Sequence, residues 1–157
     1  MNNETPIGLA LIVCDQSIQD RGTNKRSLIG MFDRLKAGTF PCIHPGMCIF
    51  ISLTSGKGEY DSEIVCRHAN GKRVFAVKGR IRFQDPMQVV EAAFDIKGPR
   101  FETPGDYWVE LLVDDVPVMM RRLFIEKLEG PPPGQNPPGQ SPADPGSPFG
   151  PPPFGNG

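Results

Sequence analysis

The sequence predicts an all-β fold: an immunoglobulin-like antiparallel β-sandwich of about eight strands, followed by a disordered C-terminal tail. Three observations carry this prediction. Residues 104–126 hold a strand opened by Pro104-Gly105 and closed by Asp114-Asp115, followed by a second apolar run that completes a hairpin. In that strand Tyr107, Val109, Leu111 and Val113 alternate with Trp108, Glu110, Leu112 and Asp114, the period-2 pattern of a sheet with one buried face. Asn70-Gly71 stands between two further alternating runs and is the strongest short hairpin signal in the chain. Finally, composition changes abruptly at Gly130; beyond it Pro, Gly, Ser, Gln and Asn dominate.

The elements follow in order. Ile7 to Cys14 is a nearly continuous apolar run, suited to a strand covered on both faces. Asp15 to Arg26 is polar, contains Gly22, and reads as a long loop. In Ser27 to Ala37, Leu28, Phe32 and Leu35 have helical spacing, but Gly30 weakens a helix by about 1 kcal/mol relative to Ala, and one strand is the preferred reading. Gly38 to Pro45 is a loop with two prolines, and Met47 to Leu53 a strand of large and β-branched residues. Ser55-Gly-Lys-Gly58 turns the chain. Tyr60, Ser62, Ile64 and Cys66 then face inward, and after the Asn-Gly turn Phe75, Val77, Gly79, Ile81 and Phe83 do the same. Gln84-Asp85-Pro86 breaks the chain, with Asp85-Pro86 alternatively capping a short helix, before a strand marked by Val90, Ala92, Phe94 and Ile96. Tyr107, just after a turn at the start of the penultimate strand, occupies the place of a tyrosine corner, its hydroxyl bonding back to the preceding turn.

The chain of 157 residues thus divides into a sandwich domain, 1–129, and a Pro/Gly-rich tail, 130–157. The 17 basic and 18 acidic side chains leave a net charge of −1, which argues against nucleic-acid binding. No apolar run reaches membrane-spanning length, and the N-terminal residues lack a basic leader region, so the expected setting is cytoplasmic, away from membranes. Four cysteines, Cys14, Cys42, Cys48 and Cys66, show no Cys-x-x-Cys spacing; they read as reduced thiols, three of them within apolar strand runs.

Cys14-Asp15, Gly22, Asn24-Lys25, Leu28-Ile29-Gly30-x-Phe32-Asp33-Arg34, Phe40-Pro41-x-x-His44-Pro45 and Pro104-Gly105-x-Tyr107 together resemble a family of small bacterial β-sandwich proteins, a domain of unknown function of about 130 residues. The resemblance covers most of residues 7–127 and none of the tail. It implies a compact sandwich in a cytosolic setting and transfers no activity, cofactor or catalytic residue.

The densest polar cluster surrounds the first long loop: Asp15, Gln16, Asp20, Arg21, Asn24 and Lys25, with Asp33 and Arg34 after it. It reads either as a binding site on loops at one end of the sandwich or as a loop whose Asx side chains bond to themselves, with Asp33 and Arg34 paired on a strand face. Calcium at Asp15 and Asp20 does not fit the spacing of an EF-hand loop. Catalytic residues and metal ligands are expected to be absent: no nucleophile elbow, zinc-protease motif or phosphate loop occurs, and Cys42 and His44 lie two apart. No cofactor is implied. Lys78, Arg80 and Arg82 form a basic row that reads either, with Arg67 or Lys72 across the hairpin, as a site for an acidic partner or as a solvated face balanced by Asp61 and Glu63 opposite, the reading that cross-strand charge pairing favours. Arg121 and Arg122 point to opposite faces, so one must approach an inner surface or a sheet edge, and Trp108 stands outward beside Leu112, where a protein contact is one reading. In the tail, Phe149 and Phe154 are two candidate aromatic anchors on a proline-rich spacer. The favoured function is a non-enzymatic interaction or scaffold module with a protein partner and a flexible tether. The alternative is a small-ligand or metal-binding sandwich using the Asp15–Asp33 end.

Overall fold

A computed structural model describes residues 4–130. Eleven strands form two packed sheets and a small ribbon. The first sheet has the order β2-β1-β5-β8, made of Arg26–Met31, Ile7–Gln19, Gly46–Thr54 and Val90–Lys97. The second has the order β3-β11-β10-β6-β7, made of Arg34–Ala37, Val116–Lys127, Gly105–Val113, Gly58–His68 and Arg73–Phe83. Cys42–Ile43 (β4) and Arg100–Phe101 (β9) pair as a two-stranded ribbon. The sandwich stands as predicted. The count rises from about eight to eleven because these two-residue strands carry no periodicity of their own and because residues 27–37 divide into two strands.

Three expectations are corrected. First, β1 does not end at Cys14 but continues to Gln19, where Gln16, Ser17, Ile18 and Gln19 pair with Ile29, Leu28, Ser27 and Arg26. A polar hairpin arm with little burial lacks the apolar signal of a strand, and its backbone pairing alone makes it one. Second, residues 27–37 are two strands in different sheets. The Phe32 N–H donates to Val13 O in the first sheet, and the Phe124 N–H in the second donates to Asp33 O, so two adjacent residues hand the chain across. Gly30 assists just before this crossing: its φ of 67° lies in the left-handed region, and the Asp15 carboxylate lies over the space a Cβ would take. Third, the sheets are not wholly antiparallel, since β3 runs parallel to β11 over Arg34–Ala37. Asp85-Pro86 forms a turn closed by the Met87 N–H on Asp85 Oδ1 (2.8 Å), and no helix occurs among the described residues. The tail beyond Gly130, with its anchors Phe149 and Phe154, lies outside the described residues.

The core lies between the sheets. Met47, Ile49, Ile51 and Leu53 of β5 meet Ile64, Val109, Leu111, Leu123 and Ile125 of the facing sheet, all buried. Each such side chain contributes about 1.5–3 kcal/mol relative to full exposure. Cys48, Phe50 and Ser52, on the other face of β5, are buried too; Arg26 and Leu28 of the β1–β2 hairpin line a groove with Phe50 and Glu91 there. The β6–β7 hairpin turns through Asn70-Gly71 as its sequence predicts, with Gly71 at φ 91°. Asp114 and Asp115, at φ 48° and 64°, make the two-residue turn between β10 and β11.

One end of the core closes on Tyr107. It is 1% exposed, and its hydroxyl donates to Thr103 O in the preceding turn. The rings of His68 and Phe101 meet it edge-on, with centroids 4.8 and 5.0 Å away. The predicted tyrosine corner is therefore present, and it ties β10 to the ribbon and to the end of β6.

Candidate functional site

The residues of the first polar cluster do not form one site. Asp20, Asn24 and Lys25 come together at the tip of the β1–β2 hairpin, which closes on itself. Asp20 Oδ1 accepts from the N–H groups of Gly22 (2.8 Å) and Thr23 (2.7 Å) and from the Thr23 hydroxyl (3.0 Å). Its backbone N–H donates to Lys25 O, and its carbonyl accepts from Asn24, held at φ 57°. The Thr23 bonds first, and then that from Gly22, hold the Asp20 carboxyl below its ordinary value. Asp15 and Gln16 lie further back on β1, exposed. Asp33 and Arg34 stand at the sheet crossing: Arg34 pairs with Glu126 (3.3 Å), and its guanidinium lies over the Phe124 ring at 5.1 Å. Among the described residues no three His, Cys, Asp or Glu side chains are grouped to hold a metal ion. The geometry therefore lends no support to the metal reading of this end.

The other motifs resolve into structural roles. In the 55–58 turn the Lys57 N–H donates to the Tyr60 hydroxyl (2.9 Å), which itself donates to Glu4 O (2.9 Å). His44 Nδ1 accepts from the Gly46 N–H (3.3 Å), and no hydrogen bond joins it to Cys42 among the described residues. The basic row is balanced in register: Glu59, Asp61 and Glu63 face Arg82, Arg80 and Lys78, with Arg80 3.4 Å from Asp61. All four thiols are free. Cys14, Cys48 and Cys66 are buried, and Cys42 is half-buried. Burial pushes the Cys48 and Cys66 thiols up to about 12; for Cys48 the neighbouring Cys14, its partner in the β1–β5 register, adds to the rise.

Arg121 settles where the sequence left two choices. It reaches the edge shared by both sheets and donates to Leu11 O (3.0 Å). There β2 pairs with β1 only from Cys14 onward, and β3 with β11 only from Phe124, so both strands have an open stretch. Register shifts at Gly8/Ala10 and Leu111/Leu112, together with Pro117, interrupt this edge and blunt it as a template for strand addition.

The outer face of the five-stranded sheet differs. Across β11, β10, β6 and β7 the register sets Arg122, Trp108, Arg67 and Arg73 in one row. Arg122 is held by Asp106 and lies over Phe124 at 5.0 Å. Arg67 and Arg73 have no ion-pair partner among the described residues, and Arg67 Nε is buried without a hydrogen-bond partner. Trp108, between Arg122 and Arg67, is 37% exposed, and Met120 lies exposed nearby on β11. Sequence reading identified Trp108 but not this row. A register shift between Cys66 and Arg67 sets Arg73 opposite Arg67, and nothing local announces it.

An all-β sandwich with a blunted edge, a locked tyrosine corner and one open sheet face defines the class of protein. The chain matches, over residues 9–126, the model of a family of unknown function, DUF6941, and it belongs to that family. The match runs from within β1 to the penultimate residue of β11, so the family domain is the sandwich itself. Comparison with curated proteins returns no match. Among the described residues no helix is long and apolar enough to cross a membrane.

Proposed function

We propose that this protein is a non-enzymatic interaction module, presenting the outer face of its five-stranded sheet, centred on Trp108, to an acidic surface of a protein partner. The observation that carries this reading is the row Arg122–Trp108–Arg67–Arg73. Trp and Arg are the side chains that most often dominate interface energetics, and here a rigid sheet holds them in register. Two unpaired arginines beside an exposed indole favour a partner that brings carboxylates to the rim and an apolar group to the centre. The strand order supports the immunoglobulin-like part of the reading: β1-β5-β8 packs on β11-β10-β6-β7, with hairpins β6–β7 and β10–β11 in the second sheet and the tyrosine corner on the penultimate strand. A bacterial cytoplasmic setting and a tail that acts as a tether complete it.

The test is recovery of a partner by tagged full-length protein, compared with Trp108→Ala, Arg67→Glu and, as a control, Lys25→Glu. A partner retained by wild type and the control but lost by the first two, at unchanged melting temperature, supports the face. Equal recovery by all four removes it.

A further inference from the structure

We propose that the cleft beside the tyrosine corner binds a small-molecule oxyanion, a carboxylate or phosphate group held between Arg73 and Arg100. The cleft begins at Arg73, the far end of the Trp108 row, and lies at the end of the sandwich where the β6–β7 turn meets the segment between β9 and β10. Its volume is about 290 Å³, and its lining includes His68, Lys72, Arg73, Arg100, Glu102 and Tyr107.

Charge is the first argument. Three cations and one carboxylate line this cleft, an excess of two positive charges on a chain whose net charge is −1. The carboxylate is already engaged: Glu102 accepts from Arg100 Nε at 2.9 Å. Lys72 and Arg73 have no ion-pair partner among the described residues. Arg73 also stands directly opposite Arg67 in the β6–β7 register, a like-charge pair that costs stability unless a counter-charge is present. An anion at Arg73 supplies that counter-charge.

Rigidity is the second argument. The floor is Tyr107, fixed by its bond to Thr103 O and by the edge-on rings of His68 and Phe101. His68 is itself oriented, since its Nδ1 accepts the Asn70 N–H at 3.1 Å. The Lys72 N–H donates to Asn70 Oδ1 at 2.9 Å, which sets the turn that brings Lys72 and Arg73 to the rim. A cationic rim over a pre-formed aromatic floor orders little on binding, which favours affinity for a small ligand. Guanidinium forks match both carboxylate and phosphate in two-point geometry, so the shared chemistry is the planar or tetrahedral oxyanion.

The experiment is isothermal titration of full-length protein at low ionic strength with inorganic phosphate in one arm and citrate in the other. Arg73→Gln, Arg100→Gln and Arg80→Gln are titrated in parallel, and unliganded melting temperatures are compared throughout. The expected result is one site for at least one of the two anions, weakened about tenfold by Arg73→Gln and by Arg100→Gln. Arg80→Gln, on the same strand but outside the lining of the cleft, should leave it unchanged. Binding of phosphate alone, citrate alone or both identifies the source of the oxyanion. Absence of binding by both overturns the proposal. So does an equal loss with Arg80→Gln, which would mark diffuse counter-ion attraction. If Arg100→Gln lowers the unliganded melting temperature, chemical-shift changes of the Asn70 and Lys72 amides in the wild type decide. Their movement on titration supports the cleft, and their silence overturns it.

Discussion

Two polar stretches behave oppositely: the tip of the β1–β2 hairpin around Asp20 and the turn that leads into Tyr107. The first is rich in charged and Asx side chains, yet Asp20 spends its carboxylate on its own turn, in solvent. The second has fewer charges, yet its tyrosine is buried and joins β10, β6 and the β4–β9 ribbon. Density of polar residues therefore does not locate what matters. A single amphipathic side chain that bridges elements outweighs a cluster that satisfies itself.

The contrast is broken most directly at Tyr107. Tyr107→Ala should destabilise the protein by about 3–5 kcal/mol in urea unfolding, because a large ring leaves a cavity between Phe101 and His68. A loss comparable to that of a surface substitution would show that this corner is not an anchor. Gly30→Ala tests the base of the hairpin. The left-handed φ of 67° should cost about 1–2 kcal/mol, while Asp15, exposed, swings away from the added methyl. Tyr107→Phe keeps the ring and removes only the bond to Thr103 O, for about 1 kcal/mol. The ratio of the two Tyr107 losses separates packing from hydrogen bonding.

Titration sharpens the comparison further. The thiols of Cys48 and Cys66 are raised from 9.0 to about 12 in the folded protein. A folded value above the unfolded one means that their contribution is complete below about pH 9 and is lost as pH rises toward 12. Denaturant midpoints should fall over that window, and alkylation of the native protein should reach half-buried Cys42 well before Cys14, Cys48 and Cys66. Asp20 has the opposite sign. Its depressed carboxyl supports the turn above the ordinary carboxylate value, and that support disappears as pH falls through the lower folded value. The amide signals of Gly22 and Thr23 should move there while those around Tyr107 stay still. This is the smallest of the expected effects, and simultaneous movement at both places would mean that the hairpin tip and the core unfold together.

Most strands were legible because their burial is one-sided. Tyr60, Ser62, Ile64 and Cys66 alternate with partly or fully exposed neighbours except Val65, and Val109, Leu111 and Val113 do likewise. The Asn-Gly turn and the Tyr107 corner were legible because their residue types answer a local geometric demand. The polar half of β1 was not, since a hairpin arm in solvent needs no apolar pattern, and neither was the crossing at Phe32 and Asp33, where the two bonds that split the segment come from Val13 and Phe124, far away in sequence. Of the candidate site, Trp108 could be seen as an outward aromatic. Its arginine neighbours could not, because β11 and β6 supply them through long-range register.

By itself, then, the sequence determined the all-β class, the inward face of most strands, the main turns and the corner tyrosine, because alternation and turn chemistry act within a few residues. Tertiary structure alone decided which sheet each half of residues 27–37 joins, and that Arg67 meets Arg73. Strand pairing is a choice among distant partners, and a one-residue bulge changes which side chains stand opposite one another without leaving any local trace in the chain.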